Sequence, residues 1–557
     1  MRRNILFLLT ILLLSCGLSY AQVAPNKYFI QFTDKNNSPY FLLHPEEFLT
    51  ARAIARRQAH DIPIVENDLP VNQSYVQKVA SYGVKILTRS RWMNGVTIYS
   101  ADSAAIDSIE NLPFVKRTFF FKNGEHKKES FFKNERVGLN PPAVNTKAVS
   151  ADEKAYGTAL TQIKQINGVP LHKKGYRGQG MVIAILDAGY QDVPTQTLFD
   201  SLRDEHRLLG TKDFVNPGGN VYPQHYHGRM VLSCMAADDP GVMIGTAPKA
   251  SFWLLRTEDA ASENIIEEYN WVAGAEFADS VGADVINSSL GYIGFDDTTV
   301  SHPYADMDGK TCISTLGAEI AASKGILVVN SAGNEGQSTT FPWISAPADG
   351  DSVFTIGAVN SLGLRASFSS QGPTYDGRVK PTVMALGQGT AVADTSGVTY
   401  GSGTSFSSPI IAGMSACLWQ AHPAATNMQI IKALKETASM HANPDTLMGW
   451  GIPDFAKADS LLQIWTGMRS FSSKSETLQT IPNPFYSAFK VKLNGIHGTL
   501  DVQLYDLSGR LVYKKIYSPG SLSSWIQLSG LDQLHPGIYL LEISNTQRIY
   551  FGKVIKE

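Results

Sequence analysis

Residues 22–122 alternate short strand-like apolar runs with helical stretches, and this pattern predicts a small α/β unit. The strand-like runs lie at 28–32, 83–87, 95–99 and 115–121, and the helical stretches at 45–58 and 104–110. Charge runs and a Pro141-Pro142 pair follow. Residues 123–155 are therefore expected to form a linker that is open to proteolytic cleavage.

The pattern changes in residues 156–464, where continuously apolar short runs alternate with longer helical stretches. The apolar runs lie at 181–186, 251–255, 285–287, 326–330 and 353–356, and helical stretches such as 265–281 and 315–323 lie between them. Strands without polar alternation are typical of parallel sheets, whose two faces are both covered. The pattern predicts an α/β domain with a doubly wound, mostly parallel sheet.

The C-terminal segment returns to period-two alternation. A serine-rich linker at 465–479 precedes residues 480–557, which contain strands at 489–493 and 502–505 and turns at 506–509 and 536–537. These signals predict a small all-β sandwich. A carbohydrate-binding module is an alternative interpretation, although the sequence shows no evident aromatic platform.

The N-terminus has the pattern of an export signal. Arg2 and Arg3 precede an apolar run at 5–14, and Ser19-Tyr20-Ala21 offers small residues for cleavage, which predicts a signal peptide at 1–21. Leu13-Leu14-Ser15-Cys16 resembles a lipobox, so a lipoprotein signal is the alternative. The run is too short to span a bilayer, and no other run approaches that length, so no transmembrane segment is expected in the mature chain.

Charge and cysteine content narrow the function classes. The formal net charge is −2, which gives no reason to expect nucleic acid or an anionic membrane as the main partner. Of the four cysteines, Cys16 leaves with the predicted signal. The odd number that remains argues against a disulfide framework. Cys234 and Cys417 are expected to be buried free thiols.

Three short motifs carry the candidate chemistry. Asp187 ends an apolar strand, His227-Gly228 opens a helical run, and Ser405 lies in Gly403-Thr404-Ser405-Phe406-Ser407-Ser408-Pro409 ahead of an apolar helix. A serine hydroxyl needs a base to become a nucleophile, an imidazole can move its proton near neutral pH, and a buried carboxylate orients that imidazole. The motifs predict Asp187, His227 and Ser405 as a catalytic triad.

A fourth motif supplies an anion-stabilising group. Asn334, in Ala332-Gly333-Asn334-Glu335-Gly336, follows an apolar strand directly. Its amide could donate to the oxyanion of a tetrahedral intermediate, with the Ser405 N–H as the second donor. His225 is the rival base, but it lacks a following glycine and is expected to be a loop histidine, while His172 is expected at a helix end.

These motifs, with Gly449-Trp450-Gly451-Ile452-Pro453, make residues 156–464 similar to a subtilase catalytic domain. The resemblance implies the subtilisin-like fold and the same four catalytic groups. It also implies that Ser289-Leu290-Gly291 pairs with the substrate backbone and borders the primary specificity pocket. Two departures are Ala188, where the family often has Ser or Thr, and Arg229, where Thr is common.

The flanking segments also resemble companions of that family. Residues 22–122 have the element order of a subtilase propeptide. The C-terminal motifs Pro482-Asn483-Pro484-Phe485, 504–510 and Gly537-Ile538-Tyr539 are similar to type A sorting domains of the type IX secretion system. This resemblance implies outer-membrane type IX machinery as a partner, and a secreted or cell-surface location in a Gram-negative bacterium.

The resulting hypothesis is a secreted serine endopeptidase that hydrolyses peptide bonds of proteins or peptides through an acyl-enzyme at Ser405. The alternative is a non-catalytic surface binding or adhesion protein on a subtilase scaffold. No organic cofactor and no metal ligand set are expected. Asp306-Met307-Asp308-Gly309 suggests calcium, but Gly317 stands where a calcium loop of the EF-hand type needs its glutamate, so structural calcium is not supported by a full motif.

Overall fold

The computed structural model describes residues 26–121, 132, 135–139, 150–470, 478–493, 499–506, 510–518, 525–545 and 549–557. The predicted signal peptide and the turn at 507–509 lie outside the described residues, as do most of the first predicted linker and residues 471–477 of the second. The chain divides into one unit at residues 1–461 and a second at 462–557, and each is described by itself.

The first unit begins with a four-stranded antiparallel sheet in the order β2-β3-β1-β4. Apolar side chains on one face of this sheet, such as Ile30 and Ile98, pack against Val79 and Ile106 from two helices. A 3₁₀ turn separates the start of the predicted 45–58 helix from α1, which begins after Thr50 caps it. The elements are β1 (Lys27–Phe32), α1 (Ala51–Ala59), α2 (Gln73–Ala80), β2 (Lys85–Ser90), β3 (Gly95–Tyr99), α3 (Ser103–Glu110) and β4 (Val115–Phe121).

A parallel seven-stranded sheet forms the centre of the same unit, in the order β14-β13-β12-β11-β6-β10-β7. All six strand pairings are parallel, which confirms the predicted fold class. The elements from the linker into this sheet are β5 (Arg136–Val137), α4 (Ala151–Lys154), α5 (Leu160–Gln165), α6 (Val169–Lys173), β6 (Val182–Asp187), α7 (Asp200–Asp204), β7 (Leu208–Asp213), α8 (His227–Ala236), β8 (Asp238–Asp239), β9 (Met243–Ile244) and β10 (Ser251–Arg256).

The remaining elements of this unit complete the sheet and its covering helices. They are α9 (Ile266–Val281), β11 (Val285–Ser288), α10 (Ile313–Ser323), β12 (Leu327–Ser331), β13 (Phe354–Val359), β14 (Val383–Leu386), β15 (Gln388–Asp394), β16 (Gly397–Ser402), α11 (Thr404–Ala421) and α12 (Asn427–Glu436). The next helix, α13 (Phe455–Ser470), begins in this unit and ends in the second. Every residue of β6 is buried, because helices cover both faces of the sheet. Strand β7 and the β15–β16 hairpin were not predicted, since polar residues interrupt their apolar pattern.

The sheet direction brings the candidate residues to one edge. Strand β6 ends at Asp187, β11 ends one residue before Ser289, and β12 ends three residues before Asn334. Because these strands are parallel neighbours, their carboxyl ends meet at the same edge, where sites of open α/β sheets are built.

The second unit is a two-layer β structure, as predicted. Three strands form a sheet in the order β17-β18-β21, and four form another in the order β20-β19-β22-β23. Side chains of both sheets, including Phe489, Ile526 and Leu541, share one core. The strands are β17 (Thr480–Ile481), β18 (Ala488–Lys492), β19 (Leu500–Tyr505), β20 (Leu511–Tyr517), β21 (Trp525–Ser529), β22 (Gly537–Ser544) and β23 (Ile549–Lys556).

Within the described ranges, no helix has both the length and the apolar character needed to cross a membrane.

Candidate active site

Asp187 and His227 form a buried acid–imidazole pair. The Nδ1 atom of His227 lies 2.8 Å from one carboxylate oxygen of Asp187 and 3.0 Å from the other. The turn after β6 packs directly on the start of α8, since a Cβ at Gly228 would lie 2.4 Å from the Gly189 carbonyl oxygen. Only a glycine at position 228 leaves room for the backbone after β6 to come this close to α8. This close packing brings the side chains of Asp187 and His227 together.

The charges around His227 set its protonation. Burial alone would lower the pKa of His227, but the negative charges of Asp187 and Glu135 raise it to about 10. Burial raises the pKa of Asp187, an effect that the His227 charge and the Ala188 N–H partly offset. The two carboxylates on either side of the ring therefore favour the imidazolium form of His227.

Ser405 lies in the first turn of α11, beside the segment that follows β11. Its hydroxyl donates to the Ser289 carbonyl oxygen at 3.3 Å, and the Ser289 hydroxyl donates to the Ser405 carbonyl oxygen at 2.9 Å. Leu290 and Gly291 continue from Ser289 as buried residues. The structure thus brings the residues of the predicted substrate edge next to the predicted nucleophile.

Asn334 lies against the residue that precedes Ser405. Its Oδ1 atom accepts hydrogen bonds from the backbone N–H and the hydroxyl of Thr404, at 2.8 and 3.0 Å. These two bonds fix the orientation of the amide. The Nδ2 atom is buried and has no hydrogen-bond partner among the described residues. A buried donor of this kind can serve an oxyanion that forms only during a reaction.

Glu135, from the predicted linker, is the residue of this site that sequence reasoning missed. One of its carboxylate oxygens lies 3.2 Å from His227 Nε2, and its side chain is only 5% exposed. A Cβ at Gly403 would lie 3.0 Å from this carboxylate. Nothing in the local sequence distinguishes Glu135 from the other linker charges, because its carboxylate contacts His227, which is distant in sequence.

Backbone pairing holds this part of the linker in place. Strand β5 pairs antiparallel with β16, with Arg136 opposite Ser402 and Val137 opposite Gly401. The ring of Phe132 lies 4.3 Å from the His227 ring, centroid to centroid. The residues just before β5, Phe132 and Glu135, therefore lie against the His227 ring, with Glu135 at the Nε2 atom that a serine nucleophile would need.

The two departures from the family pattern have local explanations. The Ala188 N–H donates to Asp187 at 2.7 Å, so this carboxylate has a backbone partner without a hydroxyl at position 188. The Arg229 guanidinium is buried and forms an ion pair with Asp192 at 2.6 Å.

His225 lies in the loop before α8, and its Nδ1 atom accepts a hydrogen bond from the His227 N–H. His172 lies in α6 and is buried.

Helix α9 carries a charged docking face for the N-terminal sheet unit. Three arginines of that unit, Arg56, Arg57 and Arg91, reach the buried carboxylate of Asp279 at 2.5, 2.7 and 2.5 Å. Glu276, one turn before Asp279, accepts hydrogen bonds from the β2–β3 turn. Removing one partner of such a buried ion pair is costly, so these contacts hold the unit on α9.

The carboxylates of the loop at Asp306-Met307-Asp308-Gly309 make local contacts. Asp308 accepts from the Lys310 N–H and the Thr311 hydroxyl, which are contacts within its own turn. Asp306 accepts from His302. Among the described residues, one cluster offers mixed metal ligands, namely Glu268, His302 and Cys312.

The cysteines outside this cluster agree with the sequence analysis. Cys234 and Cys417 are buried free thiols, as expected.

Family models match three successive parts of the chain. The model described as the subtilase family matches residues 178–451. The model described as the peptidase S8 propeptide domain of Bacteroidota matches residues 27–135, and the secretion system C-terminal sorting domain matches residues 479–557. The propeptide match ends at Glu135, the residue that contacts His227.

Individual relatives agree with these matches. A subtilisin of Bacillus pumilus is 33% identical over 283 residues, which are 50% of this chain and 90% of that protein. Subtilisin E of Bacillus subtilis (strain 168) is 34% identical over 287 residues, and the chain spans 66% of its length. The fold is similar to fervidolysin from Fervidobacterium pennivorans, with a TM-score of 0.53, 16% identity and coverage of 95% of this chain and 72% of that one. The sequence matches show that the chain belongs to the subtilase family of serine proteases.

Proposed function

We propose that the protein is a secreted serine endopeptidase with Asp187, His227 and Ser405 as its triad and Asn334 as its oxyanion donor. The observation that carries the proposal is the buried Asp187–His227 pair, which lies at the same sheet edge as Ser405 and as the Asn334 Nδ2 atom, a buried donor without a partner among the described residues. Proteins or peptides are the proposed substrates, and no organic cofactor takes part.

In the proposed reaction, His227 acts once Glu135 has left its Nε2 atom. Nε2 takes the proton of the Ser405 hydroxyl while Oγ attacks the carbonyl carbon of the scissile bond. The resulting oxyanion accepts hydrogen bonds from the Asn334 amide and the Ser405 N–H. The imidazolium then gives its proton to the leaving amine, and the acyl group stays on Ser405. Water, activated by the same imidazole, releases the acid and restores the hydroxyl.

The substrate backbone is proposed to lie along Ser289-Leu290-Gly291. Residue 289 is joined to Ser405 by two hydrogen bonds, and this fixes the spacing between the edge and the nucleophile. The Leu290 carbonyl oxygen accepts from the Asn330 side chain, so the segment is supported from behind by β12. An extended peptide can pair with such an edge while its scissile carbonyl faces Ser405.

The chain is proposed to be made as a self-inhibited precursor. The pairing of β5 with β16 supports this proposal, because it holds Arg136 opposite Ser402, three residues before Ser405. We expect the active site to cut there, so N-terminal sequencing of the mature enzyme should find a start within residues 135–139. A start beyond Ser150, with no earlier intermediate, would contradict this placement.

Export is proposed to proceed in two stages, with the predicted signal peptide for the inner membrane and residues 480–557 for type IX outer-membrane machinery. The match of residues 479–557 to a secretion system sorting domain supports the second stage. The protein would then act outside the cell or on the surface of a Gram-negative bacterium.

A fluorophosphonate probe tests the proposal against the adhesion-protein alternative. The mature protein should be labelled on Ser405 and should hydrolyse a denatured protein substrate, and Ser405→Ala should lose both. Ser415→Ala is the matched control, because this serine is buried in the same helix and its hydroxyl has no partner among the described residues. A folded mature protein that neither labels nor cleaves would instead support a binding role.

A further inference from the structure

A buried cluster of three different metal-binding side chains lies beside the loop that follows β11. Glu268 on α9, His302 in the loop and Cys312 at the N-terminal cap of α10 each place a ligand atom within 4.8 Å of the others. Glu268 is fully buried, Cys312 is 1% exposed, and the side chain of His302 is 10% exposed. Solvent therefore has little access to these atoms.

Two of the facing atoms lack hydrogen-bond partners. Glu268 Oε2 and His302 Nε2 lie 3.3 Å apart, yet neither makes a hydrogen bond within the part of the chain that the structure describes. Buried polar atoms without partners are rare in folded proteins. A group that accepts electron pairs from both atoms would satisfy them together.

The other atoms of these side chains are already held in place. The second ring nitrogen of His302, Nδ1, lies 3.1 Å from an Asp306 carboxylate oxygen, and the Ser314 hydroxyl donates to Glu268 Oε1 at 2.8 Å. A carboxylate on the far nitrogen of a histidine is the usual support for a metal-binding imidazole, because it turns the lone pair of the near nitrogen toward the metal.

We propose that Glu268, His302 and Cys312 bind one Zn²⁺ ion, with water as the fourth ligand. Zinc accepts nitrogen, sulfur and carboxylate oxygen ligands in a tetrahedral arrangement. Bonds of about 2.0–2.1 Å at tetrahedral angles place a nitrogen and an oxygen ligand about 3.3 Å apart, which matches the separation of His302 and Glu268. Calcium and magnesium prefer oxygen ligands, so a Cys–His–Glu set does not suit them.

The ion would connect three elements next to the substrate edge. Glu268 belongs to α9, Cys312 begins α10, and His302 lies in the loop that starts at Ser289-Leu290-Gly291. Zinc would therefore fix the loop that continues from this edge. Metal binding itself does not depend on the peptidase proposal, so the two can fail separately.

The test uses the full chain with Ser405→Ala, which prevents self-digestion. After exposure to Zn²⁺ and gel filtration, elemental analysis should find about one zinc per chain. With Co²⁺ instead, a thiolate-to-metal absorption band should appear in the near ultraviolet. Cys312→Ser should lose this band, whereas Cys417→Ser, which changes another buried free cysteine, should keep it.

Thermal unfolding provides the second readout. Zinc at about 100 times its dissociation constant should raise the Tm by about 3 °C, and a chelator should reverse the rise. His302→Gln should abolish that response, and it serves as the second variant if Cys312→Ser does not fold. A folded protein that retains no zinc, shows no cobalt band and has an unchanged Tm would overturn the proposal. The cluster would then be an ion pair of His302 with Glu268 and Asp306.

Discussion

Glu135→Gln should weaken the preference of His227 for its imidazolium form in the precursor. The substitution keeps the size and polarity of the side chain but removes the negative charge that lies 3.2 Å from Nε2. Asp187 remains on Nδ1, so the orientation of the ring is preserved. The change therefore isolates the electrostatic part of the contact.

The size of the effect follows from the charges around the ring. The pKa of His227 is raised to about 10 by two carboxylates that together overcome burial. An opposite charge at this distance raises the pKa of a histidine by about 1 to 3. Glu135→Gln should then bring the pKa of His227 down from about 10 by about 1 to 3, a loss of about 1.4 to 4 kcal/mol of charge stabilisation.

The sign of the pH dependence is fixed by the direction of this shift. The folded pKa lies above the unfolded value of about 6.5, so the charged contact is fully present below that pH and is lost as pH rises through about 10. Self-cleavage needs a neutral His227. The unmodified precursor should therefore mature faster as pH rises from 7 toward 10, and the Glu135→Gln precursor should show its rise at lower pH.

The assay is a histidine-selective NMR titration of the Ser405→Ala precursor, with the His227 resonance assigned by its loss in a His227→Asn variant. Glu47→Gln is the control, because this glutamate is exposed and lies in the N-terminal sheet unit, outside the linker that carries Glu135. An unchanged pKa of His227 in Glu135→Gln would refute the reasoning. A fall of the same size in Glu47→Gln would show that the effect is not local.

Four further outcomes are expected. Ser405→Ala should remain uncut on a gel, and a mature band from pure variant protein would show that another protease does the cutting. Asn334→Ala should lower the turnover rate about 100- to 1000-fold, the range known for a subtilisin oxyanion donor, and barely change KM; a sharp rise in KM with normal turnover would make Asn334 a substrate-binding residue. Deletion from Thr480 onward should leave an active enzyme in the periplasm, and undiminished activity in the medium would contradict the sorting role. Asp279→Asn should destabilise the uncut precursor by about 3 to 5 kcal/mol in urea unfolding, because it leaves buried arginines unpaired; an unchanged midpoint would mean that the pairs add little.

The sheet and its candidate chemical groups were accessible from sequence because each carries a local signal. Strand β6 is apolar at all positions before Asp187, and the glycines beside His227 and Ser405 mark tight approaches of the backbone. The predicted strand at 95–99 and the observed β3 coincide for the same reason. The catalytic roles themselves stay predictions until the variants are measured.

The long-range side-chain contacts around the candidate site could not be predicted from the sequence. Glu135 meets His227 across 92 positions of sequence, and Arg57 meets Asp279 across 222. The candidate zinc ligands come from a helix, a loop and a helix cap, and none lies in a motif. A charged residue on a linker or helix looks the same in sequence whether it is solvated or paired, so only the fold distinguishes the two.

The docking of the N-terminal unit on α9 means that cutting the linker does not by itself free the enzyme. A new chain end at Glu135 would stay tethered through Asp279 and its arginines, at an effective concentration on the order of millimolar. Only when that unit departs does rebinding become bimolecular, and dilution outside the cell then makes the departure permanent. The lifetime of the docked, already cut complex would therefore act as a delay between synthesis and proteolysis.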